Sequence, residues 1–390
     1  MRVAFVTFEY PPFILGGAGV YATHITEELT KLGNQVVVFT PGTTNVDCNN
    51  DPTSDRLKIW HVPIHETIPF RAFQFWVRLP KEIKKAESKQ KFDIIHINGI
   101  SYWFLRGRLS AAPHVLTVHH LVQDAAKSTD LALLLRIKDI SGENGYIIPQ
   151  IENRALKSID KIVAVSNYTK DRILQVYHIS TKRVDVVYNG VDFEDCTFTQ
   201  EELTETRKQL GLLQDRAVIL YIGRVDDPRK GLDVLIQAFR KVLDENDATL
   251  LVVGKGNRTI VQDLLGSALD RVVFTGFVDN TTLKKCYALC SVYVCPSRLE
   301  GFGLSILEAF RAGKPVVATR VGAIPELIQD NINGVLVENE DAIGMAKAID
   351  FYLKNELLCK RIGKNNLEKS RGCFSWSLSA RHLDKIYKQL

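Results

Sequence analysis

The chain has 390 residues, of which 45% are hydrophobic, and it carries 50 Lys and Arg against 45 Asp and Glu. This composition is typical of a globular protein and excludes disordered, collagen-like and disulfide-scaffold classes. The length predicts two domains. The seven cysteines are odd in number and scattered, and no signal peptide or apolar run of about 18 residues is recognised. We therefore expect a cytoplasmic protein.

Short apolar runs rich in β-branched residues alternate with helical stretches along the chain. Helices with a 3.6-residue period are predicted at 19–32, 201–210, 231–245 and 374–389. Strands are predicted at 2–7, 35–39, 93–97, 115–118, 161–165 and 184–188, and again at 217–222, 248–253, 271–274, 292–295 and 315–318. Continuous Val, Ile and Leu runs are typical of strands buried on both faces. The alternation therefore predicts an α/β protein with two doubly wound parallel sheets, separated by a charged stretch near 193–215.

Segment 71–91 holds seven basic side chains and only two acidic ones, a local excess as large as the net charge of +5 of the whole chain. One interpretation is a helix whose basic face is solvated. The second is that residues 70–91 contact an anionic membrane surface, because four large aromatic side chains accompany the charges: Phe70, Phe73, Phe75 and Trp76. No motif that stacks on bases or reads a groove is present, so nucleic acid is not expected as a partner.

In doubly wound sheets ligands bind beyond the carboxyl ends of the strands, so residues that follow predicted strands are candidates for a site. Gly16, Gly17 and Gly19 follow the first strand and open the first helix, where backbone amides can approach a phosphate. His119 and His120 follow a later strand. A neutral imidazole there can accept a hydrogen bond from a sugar hydroxyl or move a proton. Since neighbouring side chains of a strand point to opposite faces, one of the two is expected to serve the site.

Two cations, Arg224 and Lys230, lie at the end of the first strand of the second half and in the loop after it. Gly223 and Arg224 end that strand, and Lys230 precedes the next helix. Two cations beside backbone amides form a site for a diphosphate. The same loop contains Asp226 and Asp227, so a surface cluster of ion pairs is the alternative interpretation.

Further turns follow the later strands. Gly254 lies in a tight turn, and the backbone near Val278 could read the edge of a base. The sharpest motif runs from Glu300, through a turn whose free amides lie at a helix N-terminus, to Glu308 inside that helix. One carboxylate near a sugar and one near ribose hydroxyls suit a nucleotide-sugar site. No metal site is predicted, because the spacing of the nearby cysteines favours buried apolar side chains: Cys286, Cys290 and Cys295.

These motifs resemble those of the retaining glycosyltransferases of the large GT-B-fold group that includes glycogen synthases, sucrose synthases and bacterial lipid mannosyltransferases, namely family 4 and its close relatives. The C-terminal Phe374-Ser375-Trp376 segment also looks like the closing helix of that family. The matching residues are Gly16-Gly17 with Gly19, Thr117 with His119, Val165-Ser166, Asn189-Gly190-Val191-Asp192, Gly223-Arg224 with Lys230, Gly254 with Gly256, and Glu300 with Glu308.

The resemblance implies a GT-B fold with two Rossmann-like domains that face each other across a cleft. The acceptor-side domain would contain 1–195, completed by the C-terminal helix 374–390, and 196–373 would bind the nucleotide sugar. The residues implied to act in catalysis are His119, Arg224, Lys230 and Glu300. Those implied to bind the donor are Gly16, Gly17, Gly19, Ser166, Asn189, Gly223, Gly254, Val278, Gly301, Phe302, Gly303, Leu304 and Glu308.

In these roles Arg224 and Lys230 would hold the donor diphosphate, Glu300 the sugar hydroxyls and Glu308 the ribose hydroxyls. The implied activity is transfer of a hexosyl group, with retention, from a UDP- or GDP-linked sugar to a saccharide or lipid-linked acceptor. No cofactor is expected, and dependence on Mg²⁺ is left open. Two alternatives are a nucleotide-sugar 2-epimerase and a non-catalytic nucleotide-sugar-binding protein. The sequence leaves open the donor base and sugar, the acceptor and the oligomeric state.

Overall fold

The structure is a computed structural model that describes residues 1–14, 16–43, 55–65, 71–99, 109–121, 124, 147–191 and 197–390. The chain divides into two compact units, Met1–Gly190 with Trp376–Leu390, and Val191–Ser375. These divisions lie within a few residues of those expected from the sequence, at 195/196 and 373/374. Phe70 and Asp192, which were part of predicted motifs, lie outside the described residues.

The first unit contains a seven-stranded sheet. Its order is β3-β2-β1-β4-β5-β6-β7, and neighbouring strands pair in parallel. The strands are β1 (Arg2–Val6), β2 (Gln35–Thr43), β3 (Leu57–Ile64), β4 (Ile94–Asn98), β5 (His114–Val118), β6 (Lys161–Ala164) and β7 (Val184–Val186).

The second unit contains a six-stranded sheet of order β10-β9-β8-β11-β12-β13, again with parallel neighbours. The two sheets confirm the predicted doubly wound α/β architecture. Its strands are β8 (Ala217–Ile222), β9 (Ala248–Val253), β10 (Val272–Gly276), β11 (Val292–Cys295), β12 (Val316–Thr319) and β13 (Val335–Val337).

Two strands were missing from the sequence prediction, and both lie at an edge of a sheet. β3 pairs with β2 at one edge of the first sheet, and three of its eight residues are buried. β13 has three residues and follows β12 at the edge of the second sheet. The sequence of β3 lacks the continuous apolar run of the central strands, and β13 is too short to be recognised by such a run.

Helices connect the strands of both sheets. The first four are α1 (Gly17–Lys31), α2 (Arg71–Glu87), α3 (Ile147–Ser158) and α4 (Asn167–Tyr177). The second unit contributes α5 (Gln200–Gln209), α6 (Leu232–Val242), α7 (Thr259–Leu265), α8 (Asn280–Leu289), α9 (Leu304–Arg311), α10 (Ile324–Leu327), α11 (Ala342–Leu353) and α12 (Glu356–Cys373). The last is α13 (Trp376–Tyr387). Within the described ranges, no helix has the length and apolar character that crossing a bilayer requires.

Helix α13 packs into the first unit although it lies at the end of the chain. The Trp376 ring stacks on His24 of α1, with the ring centres 5.2 Å apart. The Asn34 side chain donates to Asp384 Oδ1 at 2.8 Å. Trp376 is 1% exposed, so it is a core residue of this unit. The C-terminal segment therefore completes the packing against α1.

Candidate active site

In each sheet the order of the strands reverses at one strand, and doubly wound folds bind their ligands at this point. In the first unit β2 and β4 lie on opposite sides of β1, and in the second unit β9 and β11 lie on opposite sides of β8. The strand order thus places Gly16–Gly19 and Asn98 near the first point. Arg224–Lys230 and Glu300 lie near the second.

The glycine loop after β1 is held by the carboxylate of Glu9, which sequence reasoning did not include. The Gly16 amide donates to Glu9 Oε2 at 2.9 Å. Gly19 is buried, and a Cβ atom added there would lie 3.0 Å from Glu9 Oε2 and from Ile14 Cγ2. Close packing therefore explains Gly19, whereas Gly17 is exposed at the start of α1.

His119 lies just beyond β5 and is half-buried. Its Nε2 atom lies 2.8 Å from Asn98 Oδ1, and its ring meets Tyr21 edge-on at 5.1 Å. Desolvation of the ring, with a smaller contribution from His120, lowers the pKa of His119 to about 3. The imidazole is therefore neutral across the ordinary working range of pH.

A second buried histidine, His96 of β4, continues this set of neutral contacts. Its Nε2 atom lies 2.9 Å from Thr117 Oγ1, which lies 3.0 Å from the Tyr21 hydroxyl. Its Nδ1 atom contacts the hydroxyl of Tyr387 in α13. Desolvation, with a smaller electrostatic contribution from His119, lowers the pKa of His96 to about 3. The ends of β4 and β5 thus carry neutral hydrogen-bonding groups.

Two other predicted residues of the first unit are buried. Ser166 is the N-cap of α4, where its Oγ atom accepts from the Thr169 amide at 3.1 Å. Asn189 is 2% exposed, and its buried Oδ1 atom has no hydrogen-bond partner among the residues that the structure describes. Helix capping explains the position of Ser166. The described residues offer no donor to the buried Oδ1 atom of Asn189.

In the second unit, Lys230 meets Glu300. Lys230 ends the short turn Pro228–Lys230, and its Nζ donates to Glu300 Oε2 at 2.8 Å. Burial of Lys230 opposes its charge, but the Glu300 carboxylate, together with Cys295 and Asp227, outweighs that effect, so the pKa of Lys230 is raised. The Ser297 hydroxyl donates to the same carboxylate oxygen at 3.4 Å. The structure therefore brings together a cation and a carboxylate that the sequence predicted for one site.

Arg224 follows β8 and forms an ion pair with Asp226, at 3.1 Å from Nη2 to Oδ1. Its side chain is 63% exposed. Arg229 pairs in the same way with Asp227, at 2.6 Å. Both arginines of this loop therefore form ion pairs with neighbouring aspartates, while Lys230 reaches out of the loop to Glu300.

The loops after β8, β9 and β10 are tied together by backbone contacts. The Val225 amide donates to the Lys255 carbonyl at 2.9 Å, and the Gly254 amide donates to the Gly276 carbonyl at 2.9 Å. A Cβ atom added at Gly254 would lie 1.9 Å from the Gly223 carbonyl oxygen, and its φ of +149° is rarely adopted by other residues. Gly254 thus allows the close approach that fixes the backbone next to Arg224. Val278 is half-buried in the loop after β10.

Arg298 fixes the segment that carries Glu300, and sequence reasoning missed this residue. Its guanidinium donates to both carboxylate oxygens of Asp233, at 2.8 and 2.7 Å, and to Glu340 Oε2 at 2.9 Å. It also donates to the Pro228 carbonyl at 2.6 Å. These ion pairs raise the pKa of Arg298. The arginine therefore joins the turn before Lys230 to the segment before Glu300.

Helix α9 begins directly after Gly303 and contains Glu308. Phe302 is 4% exposed, so its ring is part of the packing and its backbone forms the turn. Glu308 Oε2 lies 2.8 Å from the Tyr287 hydroxyl, which also lies 2.9 Å from the Ser305 carbonyl. Desolvation raises the pKa of Glu308 to about 7, although the hydrogen bond from Tyr287 works against it.

The three cysteines near this helix are buried, at 0%, 2% and 4% exposure for Cys286, Cys290 and Cys295. In the part of the chain that the structure describes, no three His, Cys, Asp or Glu side chains are grouped so that they could hold a metal ion.

Comparisons with known proteins bear on both units. A family model described as Glycosyltransferase Family 4 matches residues 15–195, and one described as Glycosyl transferases group 1 matches residues 216–355. An uncharacterized glycosyltransferase of Methanocaldococcus jannaschii is 30% identical in an alignment that covers 100% of this chain and 98% of that protein. A phosphatidyl-myo-inositol mannosyltransferase of Mycobacterium leprae is 27% identical, with 100% and 96% covered.

Among solved structures, the chain is similar to the sucrose-phosphate synthase of Thermosynechococcus elongatus. The TM-score is 0.82 at 23% identity, with 100% of this chain and 98% of that chain covered. At this identity the likeness concerns the fold, which is two parallel-sheet domains in both proteins.

Proposed function

We propose, on the premise that the chain belongs to the family 4 glycosyltransferases and has the GT-B fold, that it transfers a hexosyl group from a nucleotide-diphosphate sugar. The proposed donor is UDP- or GDP-linked, and the proposed acceptor is a saccharide or a lipid-linked molecule. The proposed reaction retains the configuration at the anomeric carbon.

The contact between Lys230 and Glu300 carries this proposal. Both residues lie near the point where the strand order of the second sheet reverses. Their side chains are 31% and 15% exposed. A diphosphate is a stronger partner for an ammonium group than a carboxylate that also accepts from Ser297. Donor binding would therefore draw Lys230 to the phosphates and leave Glu300 to accept hydrogen bonds from sugar hydroxyls.

The chemistry that follows is substitution at the anomeric carbon. The bond from that carbon to the diphosphate oxygen breaks, and a bond to the acceptor oxygen forms on the same face. The acceptor proton moves to the departing phosphate, so the atoms and charges balance. Arg224 and Lys230 would stabilise the negative charge that develops on the leaving group, which is the largest contribution a protein makes in such a step.

Other groups would orient the donor. Glu308 would accept hydrogen bonds from the ribose hydroxyls, the amides of 301–304 would contact sugar and phosphate, and the backbone near Val278 would meet the base. In the first unit, Gly17 would approach the phosphate and His119 the sugar. These roles follow the family resemblance and agree with the strand ends on which the residues lie.

We propose that no cofactor is needed, because two cationic side chains are available to balance the charge of the diphosphate. Turnover should then be unchanged when EDTA removes divalent ions from the assay. A loss of turnover that added Mg²⁺ restores would contradict this part of the proposal.

A thermal-shift panel of UDP, GDP, ADP and their sugars tests the function. A ligand that binds the folded state raises the melting temperature, and a concentration of about 100 Kd adds about 2.7 kcal/mol. One base should stand out, and its sugar conjugate should be hydrolysed slowly without acceptor. A new nucleotide sugar would indicate an epimerase, and binding without turnover on any acceptor would indicate a non-catalytic protein.

We also propose that α2 contacts an anionic membrane at the inner face, so that a lipid-linked acceptor can reach the site. The exposed side of α2 carries Phe73 and Val77, at 50% and 60% exposure, and four exposed cations. Phe75 and Trp76 were expected to join this surface, but they are buried in the core at 0% and 2% exposure. The cations are Arg71, Lys81, Lys84 and Lys85.

Vesicle co-sedimentation tests this contact. We expect binding to vesicles that contain an anionic phospholipid and little binding to neutral vesicles, since each basic residue near such a surface contributes about 1 kcal/mol. Phe73→Ser should weaken the binding, and Phe351→Ser is the matched control, because Phe351 is 48% exposed in the second unit. Equal binding to both kinds of vesicle would contradict the contact.

A further inference from the structure

The amide of Asn98 at the end of β4 joins three segments of the first unit. Its Nδ2 atom donates to the Ala18 carbonyl at 2.9 Å and to Thr7 Oγ1 at 3.2 Å. Its Oδ1 atom lies 2.8 Å from His119 Nε2. Asn98 is 3% exposed, so these contacts form away from solvent. The glycine loop, the residue that follows β1 and the site histidine thus meet at one side chain.

The orientation of this amide follows from its partners. A backbone carbonyl can only accept a hydrogen bond, so the Asn98 atom facing the Ala18 oxygen must be the NH₂ group. The reversed amide would bring two acceptor oxygens to 2.9 Å, with no proton between them. The Oδ1 atom of Asn98 therefore faces His119.

The tautomer of His119 follows in turn. A carboxamide oxygen has no proton to donate, so His119 Nε2 must carry the proton of this hydrogen bond. A neutral imidazole holds one proton, and its other nitrogen, Nδ1, then has an available lone pair. The low pKa of His119, caused mainly by desolvation, agrees with a neutral ring.

We propose that Asn98 is a positioning residue that fixes His119 in the Nε2–H tautomer, so that Nδ1 serves as a hydrogen-bond acceptor for a hydroxyl group of the bound sugar. The assignment of the tautomer stands on the geometry, and the sugar as partner rests on the proposed function. In this arrangement His119 orients a hydroxyl and does not shuttle a proton.

The tautomer is measured on the full chain labelled with ¹⁵N-histidine. Long-range ¹H–¹⁵N correlation spectra distinguish Nε2–H from Nδ1–H, and the signals of His119 are those missing from His119→Ala. We expect a single neutral Nε2–H form from pH 5 to pH 9. A Nδ1–H form, or a ring that titrates near neutral pH, would overturn the proposal whether or not a donor sugar has been found.

Variants test the link to Asn98. Asn98→Leu removes the acceptor, so His119 should lose its fixed tautomer and kcat/KM should fall by up to about fivefold, the scale of one lost hydrogen bond of about 1 kcal/mol. The control is Asn333→Leu, at a residue that is also 3% exposed and bonds through both ends of its amide in the second unit. A folded Asn98→Leu protein with unchanged Nε2–H signals would refute the positioning role.

A conservative variant separates positioning from packing. Asn98→Asp keeps an acceptor beside Nε2 but adds a negative charge, which should raise the pKa of His119 towards neutral pH. An imidazolium cannot accept through Nδ1, so kcat/KM of Asn98→Asp should fall more steeply than that of the wild type as the pH is lowered through that new pKa. An unchanged pH profile would contradict the acceptor role. If the tautomer is as expected but no nucleotide sugar is turned over, only the proposed function fails.

Discussion

The ends of β4 and β5 in the first unit carry neutral hydrogen-bonding groups, whereas the ends of β8 and β11 in the second unit carry charges. Desolvation keeps His96 and His119 uncharged, and the partners of His119 and Asn98 are amide, carbonyl and hydroxyl groups. In the second unit Lys230 keeps its charge because Glu300 lies 2.8 Å away.

The strand ends of the two units therefore suit different chemical groups. Neutral groups bind hydroxyls with contacts that are insensitive to salt and pH, and charged groups bind phosphate with contacts that salt screens. The proposed donor contains both hydroxyl and phosphate groups. The expected effects of the following changes decrease from the first to the last.

The packing around His96 and His119 in the first unit should depend on α13. Trp376→Ala removes a buried indole that stacks on His24 and lies edge-on to Tyr21, so the free energy of unfolding should fall by about 3–5 kcal/mol. Hydrogen exchange should accelerate in α1 and β4 and stay unchanged in α6. The control is Leu357→Ala, at a side chain that is 84% exposed. Equal acceleration in both units would contradict the assignment of α13 to the first.

Arg224 and Lys230 should make the largest contribution to turnover. Arg224→Ala and Lys230→Ala should each lower kcat/KM by at least tenfold, which corresponds to about 1.4 kcal/mol of stabilisation of the leaving group. Steady-state kinetics with the donor found in the thermal-shift panel measures the change.

Two residues serve as matched controls for these variants. Arg229 pairs with Asp227 in the same loop, and Lys354 pairs with Glu245 and Asp350 far along the chain. Arg229→Ala and Lys354→Ala should leave kcat/KM within about twofold, because neither side chain is proposed to contact the donor and the loss of such an ion pair changes mainly the stability, by about 1 kcal/mol or less. Near-native transfer and hydrolysis by both Arg224→Ala and Lys230→Ala would rule out cationic stabilisation by this loop.

Glu308 titrates near neutral pH, so its charge changes over the range in which His119 stays neutral and Lys230 stays charged. Its pKa of about 7 means that the carboxylate is mainly protonated at pH 6 and mainly ionised at pH 8. An ionised acceptor binds ribose hydroxyls more strongly, so nucleoside diphosphate should bind roughly tenfold more tightly at pH 8 than at pH 6. Isothermal calorimetry at the two values measures this ratio, and Glu308→Gln should remove the part due to this residue.

The same group has a predictable effect on folding. Because the pKa of Glu308 is raised above its usual 4.5, its contribution to stability is fully present below pH 4.5 and is lost as the pH rises through about 7. The free energies of unfolding of the wild type and of Glu308→Gln, measured with urea, should therefore diverge between pH 4.5 and about 7 and differ by a constant amount above it. Parallel curves from pH 4.5 to pH 7 would show that Glu308 is not desolvated in the folded protein.

Much of the fold could be predicted because the central strands have a recognisable sequence pattern. Continuous apolar runs such as Leu250–Val253 fill the middle of each sheet, and strand-end glycines and cations mark the loops. β3 was missed because polar side chains and a proline interrupt its apolar residues, and β13 because it has only three residues, whereas the edge strands β7 and β10 were predicted. The inward positions of Phe75 and Trp76 were missed because tertiary packing decides which side of α2 is covered.

The site was predictable by residue type but not by pairing. The contact of Arg224 with Asp226 spans two positions and could be anticipated from the sequence. The contact of Lys230 with Glu300 spans 70 positions, and that of His119 with Asn98 spans 21. Asn98 follows the same rule as the residues that were recognised, a polar side chain at the end of a strand, but nothing local ties it to a histidine on the next strand.

The smallest expected effect concerns the choice between two neighbouring histidines. His119→Ala removes one neutral hydrogen bond to the sugar, so kcat/KM should fall about fivefold, on the scale of 1 kcal/mol, and His120→Ala should change it less. Added salt should raise the donor KM equally in the wild type and in His119→Ala, because a neutral contact is not screened. In Arg224→Ala the response to salt should be smaller. If His119→Ala also weakened that response, the contacts at the end of β5 would involve charge, and the contrast between the two units would not hold.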